Sequence, residues 1–426
     1  MGDKRIHFVG IGGSGASAAA EIAASSGWHI SGCDINMESE YLTPTLKQNI
    51  KLGHSTEHIN DIDVLVFSPA IISLDPENKE ISQSRDKLIP TMTWQQFIGR
   101  HLLKDKFVIA VAGTHGKSTT AAMVGQILEY SGFDPTVVLG AKVIAWGKNH
   151  RVGKSVYFVI EADEYNNNFL NYHPSVVGVT SLEYDHPEFF KNFDQVKNSF
   201  EQFVAGMKEN STLILGPRVD LANTKGSTKK TTRLKNLRLK VIGRFNQTNA
   251  VVAAAVCREF GIGEEAIKSS LQKFEGIERR FEFKGEEKGV LVFDDYAHHP
   301  TAIKAILEAA REKFKENRIW VVFQPHLFSR VRVFFEDFAA ALGSTDVDEV
   351  ILLPVFAARE KDSGDVGSKQ LATAIKGKKA KYLEDFESAA TYLANRTVSR
   401  DVVLFLGAGD INKASQLLLK KLSNKA

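Results

Sequence analysis

The sequence predicts an α/β protein of three domains, and three observations carry that prediction. The chain has 426 residues, enough for two or three domains with sizeable cores. Two glycine-rich turns, at 10–15 and 113–116, each stand between an apolar, strand-like run and a helix-forming run. From Val290 onward, strand-like and helix-like segments alternate, which is the pattern of a parallel sheet with crossover helices.

The most informative stretch is 107–121, FVIAVAGTHGKSTTA. Its first six residues are apolar and mostly β-favouring, so they read as a buried strand. A turn follows through Gly113, Thr114, His115 and Gly116, and Lys117-Ser118-Thr119-Thr120 leads into the helical run AAMVGQILEY. Strand, glycine turn and helix present backbone N–H groups and a helix N-terminus to an anion. Lys117 adds a point charge suited to a polyphosphate, and the Ser118 hydroxyl can ligate magnesium. The pattern G-x-x-x-x-G-K-[ST] is met only in part, because Val111 occupies the place of its first glycine.

Composition narrows the function classes. A formal charge of +3 is small for this length and implies neither a nucleic-acid nor a membrane-surface partner. The lysine- and arginine-rich stretch 208–240 lacks the aromatic platforms that single-stranded nucleic acid requires, so it reads as a solvated loop with one edge strand. The two cysteines, Cys33 and Cys257, support neither a disulfide scaffold nor a four-cysteine metal site, and they suit a reducing cytoplasm. The N-terminus does not read as a signal peptide, and no run approaches the length of a membrane span.

At the N-terminus, 5–10 reads as a strand, 14–26 as a helix and 29–34 as a second strand ending in Asp34. Gly10-x-Gly12-Gly13-Ser14-Gly15 with an acidic residue about twenty positions later is a Rossmann-like fingerprint. A nicotinamide dinucleotide and a nucleotide-sugar diphosphate would both use its backbone donors. The segment 63–70 is a further buried strand with Ser68 at its polar end, and the charged break HLLKDK bounds a first domain at 1–103.

The second domain, 104–278, carries the phosphate loop. A strand at 156–160 delivers Glu161-Ala162-Asp163-Glu164, and another at 176–181 delivers Glu183-Tyr184-Asp185-His186. Carboxylates at the C-terminal ends of strands beside a phosphate loop stand where magnesium would be held. Singly, each would read as a surface charge or a structural histidine; with the loop, metal ligation by the EADE string and His186 is the favoured reading. Asn246 reads as a helix N-cap, and Asn249, one turn later, can reach a base or ribose. The hinge GIERRF at 276–281 opens a third, Rossmann-like domain at 279–426. Its strand ends carry 294–300, DDYAHHP, and 324–330, QPHLFSR, both dense in side chains that bind small polar substrates.

Together, GIGGSG, EADE, E-x-D-H, N-x-x-N, G-x-x-R-R-F, DDYAHHP, FQPH and above all GTHGKST resemble, in order and spacing, the Mur ligase family of peptidoglycan precursor synthesis. The resemblance covers nearly the whole chain. It implies a cytoplasmic, ATP- and magnesium-dependent enzyme that links an amino acid, L-alanine, to UDP-N-acetylmuramate, as monomer or homodimer. It implies UDP-sugar binding by Gly12, Gly13, Ser14, Gly15, Asp34 and Ser68. It implies ATP binding by Gly113–Thr119, Asn246, Asn249, Arg280 and Asp295, with Lys117, Glu161 and His186 catalytic and Ser118, Glu161 and His186 near magnesium. Tyr296, His298 and Arg330 fall near the incoming amino acid. The chain departs from the family at Ala16, at Phe245, at Leu327, where many members carry arginine, and in a shortened 215–243. A recycling ligase that attaches a tripeptide, a nicotinamide oxidoreductase and a non-catalytic nucleotide-binding regulator are the alternatives. Three substrates on three domains must meet, so closure that excludes water is expected.

Overall fold

The computed structural model describes residues 4–223, 225–344, 346–362, 364–377 and 379–424. Its contacts divide the chain into two compact units, the first comprising 1–183, 194–238 and 248–274, the second 184–193, 239–247 and 275–426. Three sheets are present, two in the first unit and one in the second, in line with the α/β class expected.

The first sheet has strands β1 (Arg5–Val9), β2 (His29–Asp34), β3 (Ile50–Leu52), β4 (Val64–Phe67) and β5 (Thr91–Thr93), ordered β3-β2-β1-β4-β5 and all parallel. Chain order reverses at β1, so the glycine turn after it sits at the topological switch point, where open α/β sheets bind ligands.

The second sheet has β6 (Phe107–Ala112), β7 (Thr136–Val143), β8 (Lys148–Arg151), β9 (Tyr157–Glu161), β10 (Val176–Val179), β11 (Ser211–Leu215) and β12 (Gly226–Lys230). Its order is β12-β11-β10-β6-β9-β7-β8, with only β8 antiparallel to its neighbour. β6 is central, and all but its first residue are buried, as expected of an apolar strand covered on both faces. β12 is fully exposed at the edge, as expected for the lysine-rich stretch, but that stretch also supplies β11, which is mostly buried, so it is not a solvated loop with a single strand.

The third sheet has β13 (Glu282–Glu287), β14 (Val290–Asp295), β15 (Ile319–Phe323), β16 (Glu349–Leu352), β17 (Lys379–Tyr382) and β18 (Val402–Leu406), ordered β13-β14-β18-β15-β16-β17. Alternate residues enter separate cores on its two faces: Phe293, Val321, Phe323 and Leu404 in one, Val292, Trp320, Val322 and Phe405 in the other. The all-parallel expectation fails at β13, which pairs antiparallel with β14. Lys288 and Gly289, at φ 53° and 77°, form the two-residue turn that hairpins favour.

Within the first unit, the first sheet's domain touches the second through helix Ser14–Ser25 and the β7–β8 hairpin. Asn149 Nδ2 donates to Ser14 O (2.8 Å), and Glu21 Oε2 receives Lys148 (3.2 Å) and faces His150 Nε2 (3.3 Å). Burial alone would raise the Glu21 carboxyl, but His150, Thr43 and Lys148 bring it down to about 2. A depressed folded-state pKa adds stability above the ordinary carboxylate value and loses it as pH falls. Glu21→Gln is therefore expected to cost about 1–3 kcal/mol near neutral pH. Urea unfolding should show that difference shrinking as pH is lowered from 4.5 toward 2.

Candidate active site

The glycine turn after β6 is closed by backbone and hydroxyl bonds to the end of β10. Thr114 N donates to Ser181 O (3.1 Å), His115 N to Ser181 Oγ (2.9 Å), Thr180 Oγ1 to His115 O (2.5 Å) and Glu183 N to Thr114 Oγ1 (2.9 Å). The His115 ring holds Glu183 Oε2 at 3.0 Å. Gly116 is left-handed at φ 80°, and a Cβ there would lie 2.2 Å from Asn249 Oδ1, so both conformation and space demand glycine. As the N-cap of helix Lys117–Tyr130, it gives no side-chain acceptor to the first-turn N–H groups, which leaves them for an anion.

Lys117 projects from this helix start onto two carboxylates delivered by β9. Its Nζ donates to Glu164 at 2.8 and 3.1 Å, with Asp163 Oδ1 at 3.8 Å. Burial alone would lower the ammonium's pKa; the charges of Glu164 and Asp163 outweigh that and raise it, so Lys117 stays cationic at physiological pH. One position on, Ser118 Oγ donates to Glu161 Oε1 (2.9 Å), and Gly140 N of β7 fixes Glu161 Oε2 (2.6 Å). A hydroxyl and a carboxylate oriented by a backbone N–H form an all-oxygen pair, which fits a hard divalent cation. Thr119, next in the helix, is buried.

At the first sheet, the turn after β1 is tied to β2 and packed against its surroundings. Asp34 Oδ2 accepts from Gly12 N (2.7 Å) and its Oδ1 from Asn36 N (2.9 Å), so this acid holds the turn itself. A Cβ at Gly15 would lie 2.3 Å from the Trp94 ring, and one at Gly13 would stand 3.8 Å from Ser68 Oγ. Gly12, Gly13, Ser14, Gly15, Asp34 and Ser68 thus meet around one turn.

The second unit holds the remaining residues. His186 Nδ1 faces Glu188 Oε1 (3.3 Å), which also receives Arg359 (2.7 Å). Arg330 is buried and donates through Nε (3.0 Å) and Nη2 (2.7 Å) to Asp185 Oδ1, while its Nη1 stands 3.2 Å from His326 Nδ1. Burial pushes the Asp185 carboxyl up, but Arg330 holds it well below the usual range. His298 Nδ1 donates to Tyr296 O (2.8 Å), and burial together with Arg330 keeps its ring neutral. The Arg280 guanidinium lies 5.1 Å from the centre of the Tyr296 ring. Asp295 accepts from Phe281 N (2.8 Å) and Ala297 N (2.7 Å), and burial raises its pKa. Phe281, bonded to Asp295, and Arg279, whose N donates to Glu282 Oε2 (2.9 Å), stand at φ 49° and 56°, an uncommon conformation on both sides of Arg280.

Asn246 corrects one expectation. Helix Arg244–Arg258 has already begun, so Asn246 lies in its first turn, not at its cap, and its amide donates to Ile242 O (2.7 Å). Asn249 faces Gly116 as described. The sequence reading did not foresee Glu164 as the partner of Lys117, Asp185 as the partner of Arg330, or Gly140 as the donor to Glu161. The first two stand in the acidic strings already singled out; nothing local marks Gly140. Leu327 is fully buried with φ 65°.

Residues 5–106 match the Mur ligase family catalytic domain, 111–233 the Mur ligase middle domain and 279–409 the Mur ligase glutamate ligase domain. The chain is 37% identical to a UDP-N-acetylmuramate–L-alanine ligase of Acetivibrio thermocellus, over 98% of this chain and 96% of the relative. It is 35% identical to the enzyme of that name from Clostridium acetobutylicum, over 98% of each. Among solved structures, the UDP-N-acetylmuramate-alanine ligase of Thermotoga maritima superposes with a TM-score of 0.81 at 28% identity, covering 99% of both chains. Among the described residues no helix is long and apolar enough to cross a membrane.

The Arg330–Asp185 pair makes a direct prediction. Arg330→Ala strands a buried carboxylate and is expected to cost about 3–5 kcal/mol in chemical denaturation. Combining Arg330→Met with Asp185→Leu should recover most of that loss. The pair's contribution is present above the ordinary aspartate pKa of 3.8 and should fade as pH falls below it.

Proposed function

This chain belongs to the Mur ligase family, and on that footing we propose that it joins L-alanine to the carboxylate of UDP-N-acetylmuramate, converting ATP to ADP and phosphate. The observation that carries the reading is Lys117 held on Glu164 and Asp163 at the glycine turn, with Ser118 and Glu161 bonded beside it. A carboxylate does not condense with an amine near neutral pH, because oxide would have to leave. Transfer of the γ-phosphoryl group gives an acyl phosphate, whose leaving group is phosphate. The alanine amine then attacks through a tetrahedral intermediate, yielding the amide.

The transferring phosphoryl group carries its charge on three oxygens, and catalysis lies in positioning and neutralising them. Lys117 supplies a cation there, and the first-turn N–H groups of its helix supply donors. Ser118 and Glu161, with His186 by resemblance, are the residues we assign to magnesium, which when bound would neutralise phosphate oxygens. Gly113–Thr119, Asn246, Asn249, Arg280 and Asp295 are assigned to ATP. The turn after β1, with Asp34 and Ser68, is assigned to the UDP-sugar. Tyr296, His298 and Arg330 are assigned to the neighbourhood of the amino acid, where Arg330 serves through its hold on Asp185 and His326. A reaction fed by ATP belongs to the cytoplasm.

The names of the relatives reported above support L-alanine over a recycled tripeptide. A nicotinamide oxidoreductase leaves GTHGKST unexplained, and intact Lys117, Glu161 and His186 argue against a non-catalytic regulator. Lys117→Ala tests the assignment. Turnover should fall by about 10²–10³-fold, while calorimetric affinity for UDP-N-acetylmuramate stays unchanged. Turnover near that of the unmodified protein would sink the role given to Lys117.

A further inference from the structure

A second cluster of titratable side chains lies beside the glycine turn of the first sheet, and the ligase chemistry does not use it. His7 comes from β1, Cys33 from β2, His54 and His58 from the segment after β3, and Glu80 from helix Lys79–Asp86. Glu80 is wholly buried. Its Oε1 lies 2.6 Å from His58 Nδ1 and accepts from Ser55 N (3.0 Å). Its Oε2 lies 3.2 Å from both His54 Nδ1 and Cys33 Sγ. One potential ligand atom from each of His7, Cys33, His58 and Glu80 lies within 4.8 Å of the others.

His7 supplies the deciding observation. Its ring is 1% exposed. Nδ1 lies 2.9 Å from Ser31 Oγ, whose own proton is directed to Ile6 O at 3.3 Å. The serine oxygen therefore accepts, so Nδ1 carries the ring proton and Nε2 carries a lone pair. That Nε2 has no hydrogen-bond partner and faces Glu80 Oε1 at 4.0 Å. A buried lone pair aimed at a carboxylate and a thiol is unfavourable unless something positive stands between them. The outer hydrogen bond that fixes the tautomer is the one metal-binding histidines use.

We propose that this cluster is a structural zinc site, with His7 Nε2, the Cys33 sulfur, His58 and one Glu80 oxygen as ligands and His54 beside them. Nitrogen, sulfur and oxygen together suit a borderline-soft ion; magnesium or calcium would call for oxygen throughout. Four ligands about 2.0–2.3 Å from a common ion stand roughly 3.3–3.6 Å apart; from Glu80 Oε1 the others lie at 2.6 Å (His58), 3.4 Å (Cys33) and 4.0 Å (His7), which bracket that range, and every pair lies within 4.8 Å. Loading forms a Zn–S bond and releases the thiol proton to solvent. One thiolate and one carboxylate then balance the ion's two charges, so the buried site is neutral. Cys33 O accepts from Gly10 N (2.9 Å) and Ile11 N (3.2 Å), so the ion would brace the turn from below.

The test uses the full chain, with any affinity tag removed, dialysed against zinc and then against buffer. Elemental analysis should find a single retained zinc equivalent. Cobalt in its place should give a sulfur-to-cobalt charge-transfer absorption in the near ultraviolet. Cys33→Ser should abolish that absorption. Ser31→Ala, which spares every ligand, should keep it while weakening affinity about 10–100-fold. Retention of no metal, a cobalt spectrum without the thiolate band, or undiminished binding by Cys33→Ser would overturn the proposal.

Discussion

The Lys117 ammonium rests on Glu164, a carboxylate almost without exposure, and the central sheet is arranged around that contact. Neither charge is tolerable alone in this setting, because removing one leaves the other buried and unpaired. The pair exists because β6 and β9 are neighbours in register, so the helix start after one meets the acidic string after the other. Burial of β6 makes the position rigid, and the bonds from the turn to the end of β10 stop it from relaxing. A cation held in this way needs no rearrangement to meet a polyphosphate, which is what electrostatic preorganisation requires.

The same construction recurs in the other two sheets. In each, an acid at a strand's end accepts backbone N–H groups and so shapes the turn beside it: Asp34 holds Gly12, and Asp295 holds Phe281 and Ala297. These acids secure the main chain. In the first sheet the turn is also linked to the central domain, since Asn149 of β8 donates to Ser14 O. β8 pairs with β7, which carries Gly140, the donor that orients Glu161. The turn after β1 and the assigned cation ligands are thus separated by one hairpin.

Much of this was legible in the sequence. The strand–turn–helix units around Gly12 and Gly116 could be read because apolar runs and glycines carry local signals. Strand ends could be located, and with them Glu161, Asp295 and His298. Partnership could not be read: Glu164 and Asp163 look alike in the string EADE, and only the fold puts Glu164 on the lysine. Asp185 and Arg330 are 145 positions apart, and no local pattern links them. β13 was missed because EFKGEE is half-exposed, polar and broken by a bulge at Gly285. Asn246 misled because asparagine favours N-caps, yet the helix starts at Arg244. The cluster of His7, Cys33, His58 and Glu80 spans three strands' worth of sequence and shows itself only once β1 and β2 lie side by side.

The most direct measurement is ADP release by the purified chain with ATP, magnesium and UDP-N-acetylmuramate, run with L-alanine, with the tripeptide and with no amine. ADP is expected only when the sugar nucleotide and L-alanine are both present, matched by an equal amount of the amide in mass spectrometry. ADP release indifferent to the sugar nucleotide, or supported by the tripeptide and not by L-alanine, would contradict the assigned activity.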